Sequence, residues 1–387
     1  MSDALVSSRG AMRWAQGHPW IFKSDVITAP GEDAGVVMVR ERSGAALGWA
    51  LWSPRSEIAL RLLERAVSAT IDGAWWRSRI EAAVARRSAL GNLTNAFRLV
   101  HGEADGVPSL ICDRYDRWLV VQLLSAGLER HRSEIVAGLT ESVRPAGILA
   151  RNDANVRDRE GLPREIALLA GDVPREIEVV EHGVKYLAAP WDGQKTGAFL
   201  DQRENRVLAG SVARGRALDC FSYHGSFALH LARRAERVTA LDSSAAALAR
   251  AKENAMRNGF TNIDFREADA FEFLRDQEKA GARYETIVLD PPAFAKNKAS
   301  LPAAIRGYKE INLRAMRLLS PGGMLFTASC SYHLSKTEFL RMIEDAARDS
   351  GRRVLLRNVC VQAVDHPELI TMPESGYLKG AVLEARS

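Results

Sequence analysis

Two short runs near the C-terminal end of this 387-residue chain hold side chains that can make and break bonds. Thr327-Ala328-Ser329-Cys330-Ser331 offers a thiol, and Asp290-Pro291-Pro292-Ala293-Phe294 offers a carboxylate, two prolines and a ring. Proline fixes φ and removes an N–H, so the second run leaves carbonyl oxygens without ladder duty. With Asp290 and Phe294 facing a cleft, the Pro291-Pro292 turn can grip a planar, amine-bearing base by hydrogen bonds and stacking. A thiolate can add to carbon 6 of a cytosine. The enamine so formed turns carbon 5, a poor nucleophile by itself, into one that attacks a methyl sulfonium. Asp290, donating or bonding at N3, would assist the addition. Cys330 and Asp290 are thus the catalytic candidates, and no residue identifies itself as the base for the carbon 5 proton. The plainer reading of each motif is a rigid turn and an inert buried thiol, the role expected of Cys112, Cys220 and Cys360.

A second set of residues could hold a ligand. Asp219-Cys220-Phe221-Ser222-Tyr223-His224-Gly225 ends one strand candidate, Asp242 ends the next, and Asp269-Ala270 follows the third. Gly225 lets the backbone approach a ligand. Asp242 stands where an acid takes both hydroxyls of a ribose. Asp269 can accept from an adenine amino group beside the Ala270 amide. The turn is not G-x-G-x-x-G, whose second and third glycines serve a pyrophosphate and tight helix packing, so a nicotinamide dinucleotide is disfavoured. A single acid after a strand is commonplace; three at successive strand ends fit a nucleoside ligand without a diphosphate. S-adenosylmethionine is the leading such molecule.

These residues need a scaffold. After Pro190 strand candidates at 217–221, 237–241, 263–266, 286–289 and 323–327 alternate with helical patterns at 227–235, 245–258, 270–279 and 303–318. That alternation predicts a doubly wound, Rossmann-like parallel sheet with ligands at the carboxyl ends of its strands. Before it, β-rich runs at 36–40, 48–52 and 58–63 predict a small β-barrel, followed by a helix over 72–90. An antiparallel pair at 109–113 and 118–124, a helix over 129–142 and a hairpin over 177–187 predict a central α+β region. The expected class is α/β overall, with domains at 1–69, 70–189 and 190–387.

Composition narrows the setting. Hydrophobic residues make up 47% and charged residues 26%, enough for full cores. The net charge of +5 makes a polyanion easier to bind without requiring one. No apolar run is long enough for a membrane span, and the N-terminus lacks the features of a signal peptide. Four scattered cysteines with no C-x-x-C pair predict no zinc site and no disulfide scaffold, and a cytoplasmic setting.

At these motifs the chain resembles the bacterial 23S ribosomal RNA cytosine-5 methyltransferases with an N-terminal PUA domain. The resemblance runs through 17–22, 101–108, 151–163, Gly193-Gln194-Lys195-Thr196-Gly197-Ala198-Phe199-Leu200-Asp201-Gln202-Arg203-Glu204-Asn205-Arg206, 289–296 and 329–331. It implies a PUA-like RNA-binding barrel, S-adenosylmethionine as methyl donor and 23S ribosomal RNA as partner. It implies further that Asp219, Phe221, Gly225, Asp242, Asp269 and Ala270 line the cofactor site. Lys195, Phe199 and Arg203 would flank its methionine end, and Cys330 would be the nucleophile. The chain departs from the pattern at His224 and Ser226, where the family usually has Thr and Gly. Many RNA cytosine-5 enzymes also carry a second cysteine in the Asp290 turn, where Ala293 stands; the PUA-bearing family shares that absence.

Three matters stay open. An Asp-Pro-Pro-Phe turn also suits methylation of an exocyclic amine such as guanine N2, which needs no thiol. A non-catalytic RNA-binding protein is the alternative from another class, and the strand-end acids argue against it. The sequence leaves a homodimer open. The RNA-facing surface is legible only as basic clusters at Arg86-Arg87, Arg233-Arg234, Lys296, Lys298 and Arg352-Arg353, with Trp75-Trp76 as a base-stacking candidate that core packing would equally explain.

Overall fold

The computed structural model describes residues 3–295 and 297–386. The chain forms two compact units. One holds the residues up to Glu181 with Ala188–Leu200 and Val364–Ser375, and the other holds His182–Leu187, Asp201–Ala363 and the chain from Gly376. No helix among the described residues is long and apolar enough to cross a membrane.

The first unit contains two sheets. Six strands run in the order Trp20–Ile21, Leu60–Glu64, Ala46–Trp52, Gly35–Glu41, Ala4–Val6, Val26–Thr28. Their core gathers Val6, Trp14, Ile21, Val39, Trp52 and Leu60. Gly48 has φ +140°, and a Cβ there would lie 2.3 Å from the Glu64 carbonyl, so this crossing of strands accepts only glycine. The second sheet has five strands, in the order Glu165–Gly171, Gly147–Asn152, Trp118–Leu123, Leu110–Tyr115, Ala96–His101. Helices Gly73–Arg86 and Arg132–Val143 pack closely enough that a Cβ on Gly138 would sit 2.9 Å from Ile80 Cδ1. The antiparallel pair expected around residue 116 is present, with Tyr115 opposite Trp118.

The barrel and the central region lie in one compact unit and share part of a core. Leu51 and Leu63 of the first sheet share a core with Trp76, Ile80, Leu123 and Leu128. Arg61 Nη2 meets Glu160 Oε1 at 2.8 Å, and both side chains are buried. Trp76 is wholly buried, so core packing is the reading that holds for it. In the Arg86-Arg87 cluster both guanidinium groups pair with Asp105, Arg87 buried and Arg86 exposed.

In the second unit seven strands form one sheet: β1 Arg216–Cys220, β2 Arg237–Asp242, β3 Ile263–Glu267, β4 Tyr284–Leu289, β5 Leu319–Ser329, β6 Arg353–Cys360 and β7 Lys379–Arg386. Their order is β3-β2-β1-β4-β5-β7-β6. The first five are parallel, and β7 runs antiparallel between β5 and β6. The helices are α1 Arg203–Val212, α2 Ser226–Ala232, α3 Ala245–Arg257, α4 Ala270–Lys279, α5 Leu301–Leu318 and α6 Lys336–Ser350. Leu218, Ile287 and Leu325 face a core with Leu274, Tyr308 and Phe339 of α4, α5 and α6. Ala217, Val288 and Phe326 face the other layer, with Phe227 and Leu231 of α2. Burial on both faces explains why these strands read as apolar runs rather than alternations. Strand order reverses between β1 and β4, which opens a crevice at their carboxyl ends.

All five strands expected after Pro190 are present. The strands β6 and β7 and the helices α1 and α6 were not among the elements expected from the sequence.

Candidate active site

The crevice is built from the turns that follow β1, β2, β3, β4 and β5, all in the second unit. After β1 the chain takes positive φ at Phe221 (65°), Tyr223 (50°) and Gly225 (86°) within five residues. Left-handed conformations at non-glycine residues each cost on the order of 1–3 kcal/mol, and they persist where the surroundings over-determine them. Here Asp219 supplies the restraint. Its Oδ2 accepts from Ser222 Oγ at 2.6 Å and from the Ala228 amide at 2.9 Å. Gly225 is required twice over, since a Cβ there would also lie 2.9 Å from that of Ala251.

Asp219 is fully buried, and its Oδ1 has no hydrogen-bond partner. Burial pushes its carboxyl up to about 7, the Ser222 and Ala228 bonds pull the other way, and Asp290 and Asp242 add repulsion. Asp219, expected among the cofactor-site residues, braces the first turn through these two bonds.

Asp242, half-exposed at the end of β2, is fixed by two backbone amides: Tyr223 N on Oδ2 at 2.8 Å and Ser244 N on Oδ1 at 2.9 Å. A carboxylate has about four acceptor sites, so each oxygen keeps one for a ligand hydroxyl. A ribose diol needs two such sites. Asp269 caps α4, its Oδ1 accepting from Phe271 N and Glu272 N at 2.9 and 3.0 Å, with Ala270 buried next to it. These residues fit S-adenosylmethionine: a paired acceptor for the ribose, a backbone turn aimed at the crevice, and an acid at the adenine end. The mutual repulsion of Asp219, Asp242 and Asp290 also favours a cationic sulfonium over a diphosphate.

The two chemical turns are neighbours because β4 and β5 pair in parallel, with Leu289 opposite Thr327. Asp290 accepts from Gln202 Nε2 at 2.8 Å, and Gln202 is itself held by Asn205 Nδ2 at 2.7 Å. Tyr308 of α5 joins the turns. Its hydroxyl lies 2.8 Å from Ser331 Oγ, accepts from Phe294 N at 3.3 Å and donates to the Pro292 carbonyl at 3.4 Å. Ala295 N reaches Ser331 Oγ at 3.2 Å. Pro291 is buried and Pro292 exposed. Phe294 is half-buried, its ring 4.5 Å from that of Tyr308 and 5.8 Å from that of Phe271. Part of the ring expected to stack on a base is therefore committed to an aromatic cluster.

Cys330 is partly exposed, whereas Cys112, Cys220 and Cys360 are buried. Burial pushes the Cys360 thiol up to about 11 and those of Cys112 and Cys220 upward as well. Only Cys330 is both accessible and at the reactive edge of the sheet.

The residues expected at the methionine end divide between the units. Lys195 and Phe199 belong to the first, where Lys195 Nζ lies 4.7 Å from the Phe199 ring centre and Thr196 between them bonds Asp113 at 2.6 Å. Arg203 belongs to the second, fully buried, with its guanidinium 2.8 Å from Glu204. Of the basic clusters, Arg233 and Arg234 donate to the carbonyls of His182 and Ser211, and Lys296 lies outside the described residues. Sequence reasoning did not assign Gln202, Tyr308, Ser331 or Lys379 to the site. Gln202 and Ser331 stood inside motifs already singled out; Tyr308 and Lys379 gave no signal.

Comparison with known proteins places the chain in a family. Residues 139–368 match a family described as S-adenosylmethionine-dependent methyltransferase, and residues 5–65 match a PUA-like domain. A protein of Tolumonas auensis named ribosomal RNA large subunit methyltransferase I is 40% identical over 378 residues, 95% of each chain. One of the same name from Erwinia tasmaniensis is 38% identical over 98% of each. A solved methyltransferase complexed with SAH superposes with TM-score 0.86 at 22% identity, over 99% of this chain and 100% of that one, and shares the fold. With a family match over residues 139–368 and relatives of this identity along nearly the whole length, the chain belongs to the S-adenosylmethionine-dependent methyltransferases, in the family of the ribosomal RNA large subunit methyltransferases I.

Proposed function

We propose that this enzyme methylates carbon 5 of a cytosine in 23S ribosomal RNA through a covalent adduct with Cys330. The observation that carries the reading is the joint placement of an accessible thiol after β5 and the Asp290 turn after β4, tied together by Tyr308 and Ser331. The relatives' names supply the class of RNA, and the PUA-like match supplies a domain suited to it.

S-adenosylmethionine supplies a methyl group on a positively charged sulfur. Asp242 holds the ribose, and the turn from Phe221 to Gly225 and Asp269-Ala270 bound the remainder of the nucleoside. The prolines and Phe294 position the cytosine, and Asp290, oriented by Gln202, donates from its protonated carboxyl to N3. The Cys330 thiolate then adds to carbon 6. Electron density pushed to carbon 5 forms the new carbon–carbon bond as the methyl leaves its sulfur. Loss of the carbon 5 proton to a base lets the carbon 6–sulfur bond break and returns the thiolate.

RNA carrying 5-fluorocytosine at the target tests this directly, because fluorine cannot leave as a proton does. The wild-type protein should form an adduct stable on denaturing gels, and Cys330→Ala should form none and transfer no methyl group. Full activity in Cys330→Ala would instead indicate methylation of an exocyclic amine, such as guanine N2, at the Asp290-Pro291-Pro292 turn.

A further inference from the structure

Lys379 opens β7 as the register partner of Ser329 on β5. Its side chain is only 3% exposed. Nζ donates to the Ser331 carbonyl and to the Tyr377 carbonyl, each at 2.7 Å. An ammonium has three N–H groups, so one is fixed on the carbonyl of Ser331, next in sequence to Cys330, one on the carbonyl of Tyr377, and one remains.

No carboxylate among the described residues forms an ion pair with this lysine. A buried cation without a counter-charge is costly, and such a group ordinarily neutralises or acquires a partner. The titratable groups that act on Lys379 are Cys330, which favours its charge, and Lys336 at the start of α6, which opposes it; burial is the largest influence and brings the lysine down to about 8. The charge of Cys330 is also felt by Tyr308 of α5. Among the described residues, the group of opposite sign whose charge acts on the buried ammonium is therefore the Cys330 thiolate.

We propose that Lys379 is the built-in counter-ion of Cys330: a positioning residue that holds the side chain in its thiolate form and fixes the following carbonyl. The backbone carbonyls hold the ammonium in place, so its charge is delivered at one point rather than by a mobile surface chain. Stabilisation is mutual, because whatever the thiolate does for the lysine charge the lysine does for the thiolate. A serine at position 330 would forfeit this arrangement, since its hydroxyl stays protonated.

The catalytic consequence rests on the reading of Cys330 as nucleophile, but the ion pair can be measured without RNA. Full-length protein is treated with iodoacetamide across pH, and carboxamidomethylation of the Cys330 peptide is followed by mass spectrometry; the other three thiols are buried. In the wild type the midpoint should fall clearly below about 8.5, the value of an unperturbed thiol. In Lys379→Met, nearly the same length without charge, it should rise by about one unit or more. Alkylation at pH 7 and kcat should then drop roughly tenfold, with S-adenosylmethionine affinity and KM for RNA unchanged.

A wild-type midpoint at or above the ordinary thiol value overturns the proposal, whether or not the variant folds. An unshifted midpoint in Lys379→Met overturns it as well. The two readings fail separately. A low midpoint with an active Cys330→Ala protein removes the nucleophile and with it the catalytic role of Lys379. An ordinary midpoint with an intact 5-fluorocytosine adduct removes only the counter-ion.

Discussion

Three aspartates at successive strand ends look alike in the sequence and do different work. Asp242 keeps one acceptor site on each oxygen after binding two amides, which suits a ribose diol. Hydrogen bonds to a charged group are worth about 1.5–3 kcal/mol each. Asp242→Ala should therefore weaken S-adenosylmethionine binding at least about tenfold by calorimetry; unchanged affinity would remove the residue from the site. Asp219 is buried, and its carboxyl is raised to about 7, mainly by desolvation. Between the usual carboxylate value and about 7, the folded protein binds this proton and the unfolded chain does not. Its contribution to stability is thus complete below the unfolded value and declines as pH rises through about 7, by at most about 1.4 kcal/mol per pH unit. Relative to the wild type, Asp219→Asn should lose that decline. Denaturant melts of both proteins at pH 4.5, 6 and 7.5 would show the difference, and parallel curves would contradict it.

At the level of elements, the site depends on a helix that contributes no reacting atom. Tyr308 of α5 bonds Ser331 after β5 and Phe294 N and the Pro292 carbonyl after β4, so one hydroxyl sets the spacing of the two chemical turns. Removing it leaves buried partners unsatisfied, at a cost of about 1–3 kcal/mol. Tyr308→Phe should lower stability by that amount and reduce kcat, while S-adenosylmethionine affinity stays unchanged, because the β1 and β2 turns are untouched. A variant that loses stability but keeps full kcat would show that the tie matters for folding alone. The crossing of β7 between β5 and β6 is equally consequential: it brings Lys379 level with Ser329.

At the level of the whole molecule, the N-terminal barrel and the central sheet are joined by buried contacts. The buried Arg61–Glu160 pair and the core shared by Leu51, Leu63 and Trp76 join them, and Glu160 Oε2 also accepts from the Ala126 amide at 3.0 Å. A cut near residue 69 would leave Glu160 buried without its cation, so removing the barrel is a poor test of RNA binding. Breaking a buried pair from one side typically costs about 3–5 kcal/mol. Glu160→Ala should destabilise the first unit by that order, with the barrel and central sheet melting together in a thermal scan. Independent transitions for the two sheets would show that they are separate domains after all.

Local sequence was sufficient for whatever depends on neighbours along the chain. The alternation of strands and helices after Pro190 marked five strands of the sheet, because each buries both faces and is bounded by turn residues. The Asp290-Pro291-Pro292 run, the strand-end positions of Asp242 and Asp269, and the place of Cys330 at the edge of the sheet followed from strand ends and side-chain chemistry. Two strands went unread for opposite reasons. Most residues of β6 lie exposed or half-exposed at the sheet edge, whereas in β7 five buried residues in succession, from Lys379 to Leu383, give no alternating pattern. Tertiary structure alone decided which acids are buried, as Asp219 is, and which stay accessible, as Asp242 does. It also decided the pairings of Gln202 with Asp290, 88 residues apart, and of Lys379 with Ser331, 48 apart. A lysine near a chain end reads as a solvated surface charge. Only the insertion of β7 into the interior of the sheet removes it from water and sets it beside Cys330.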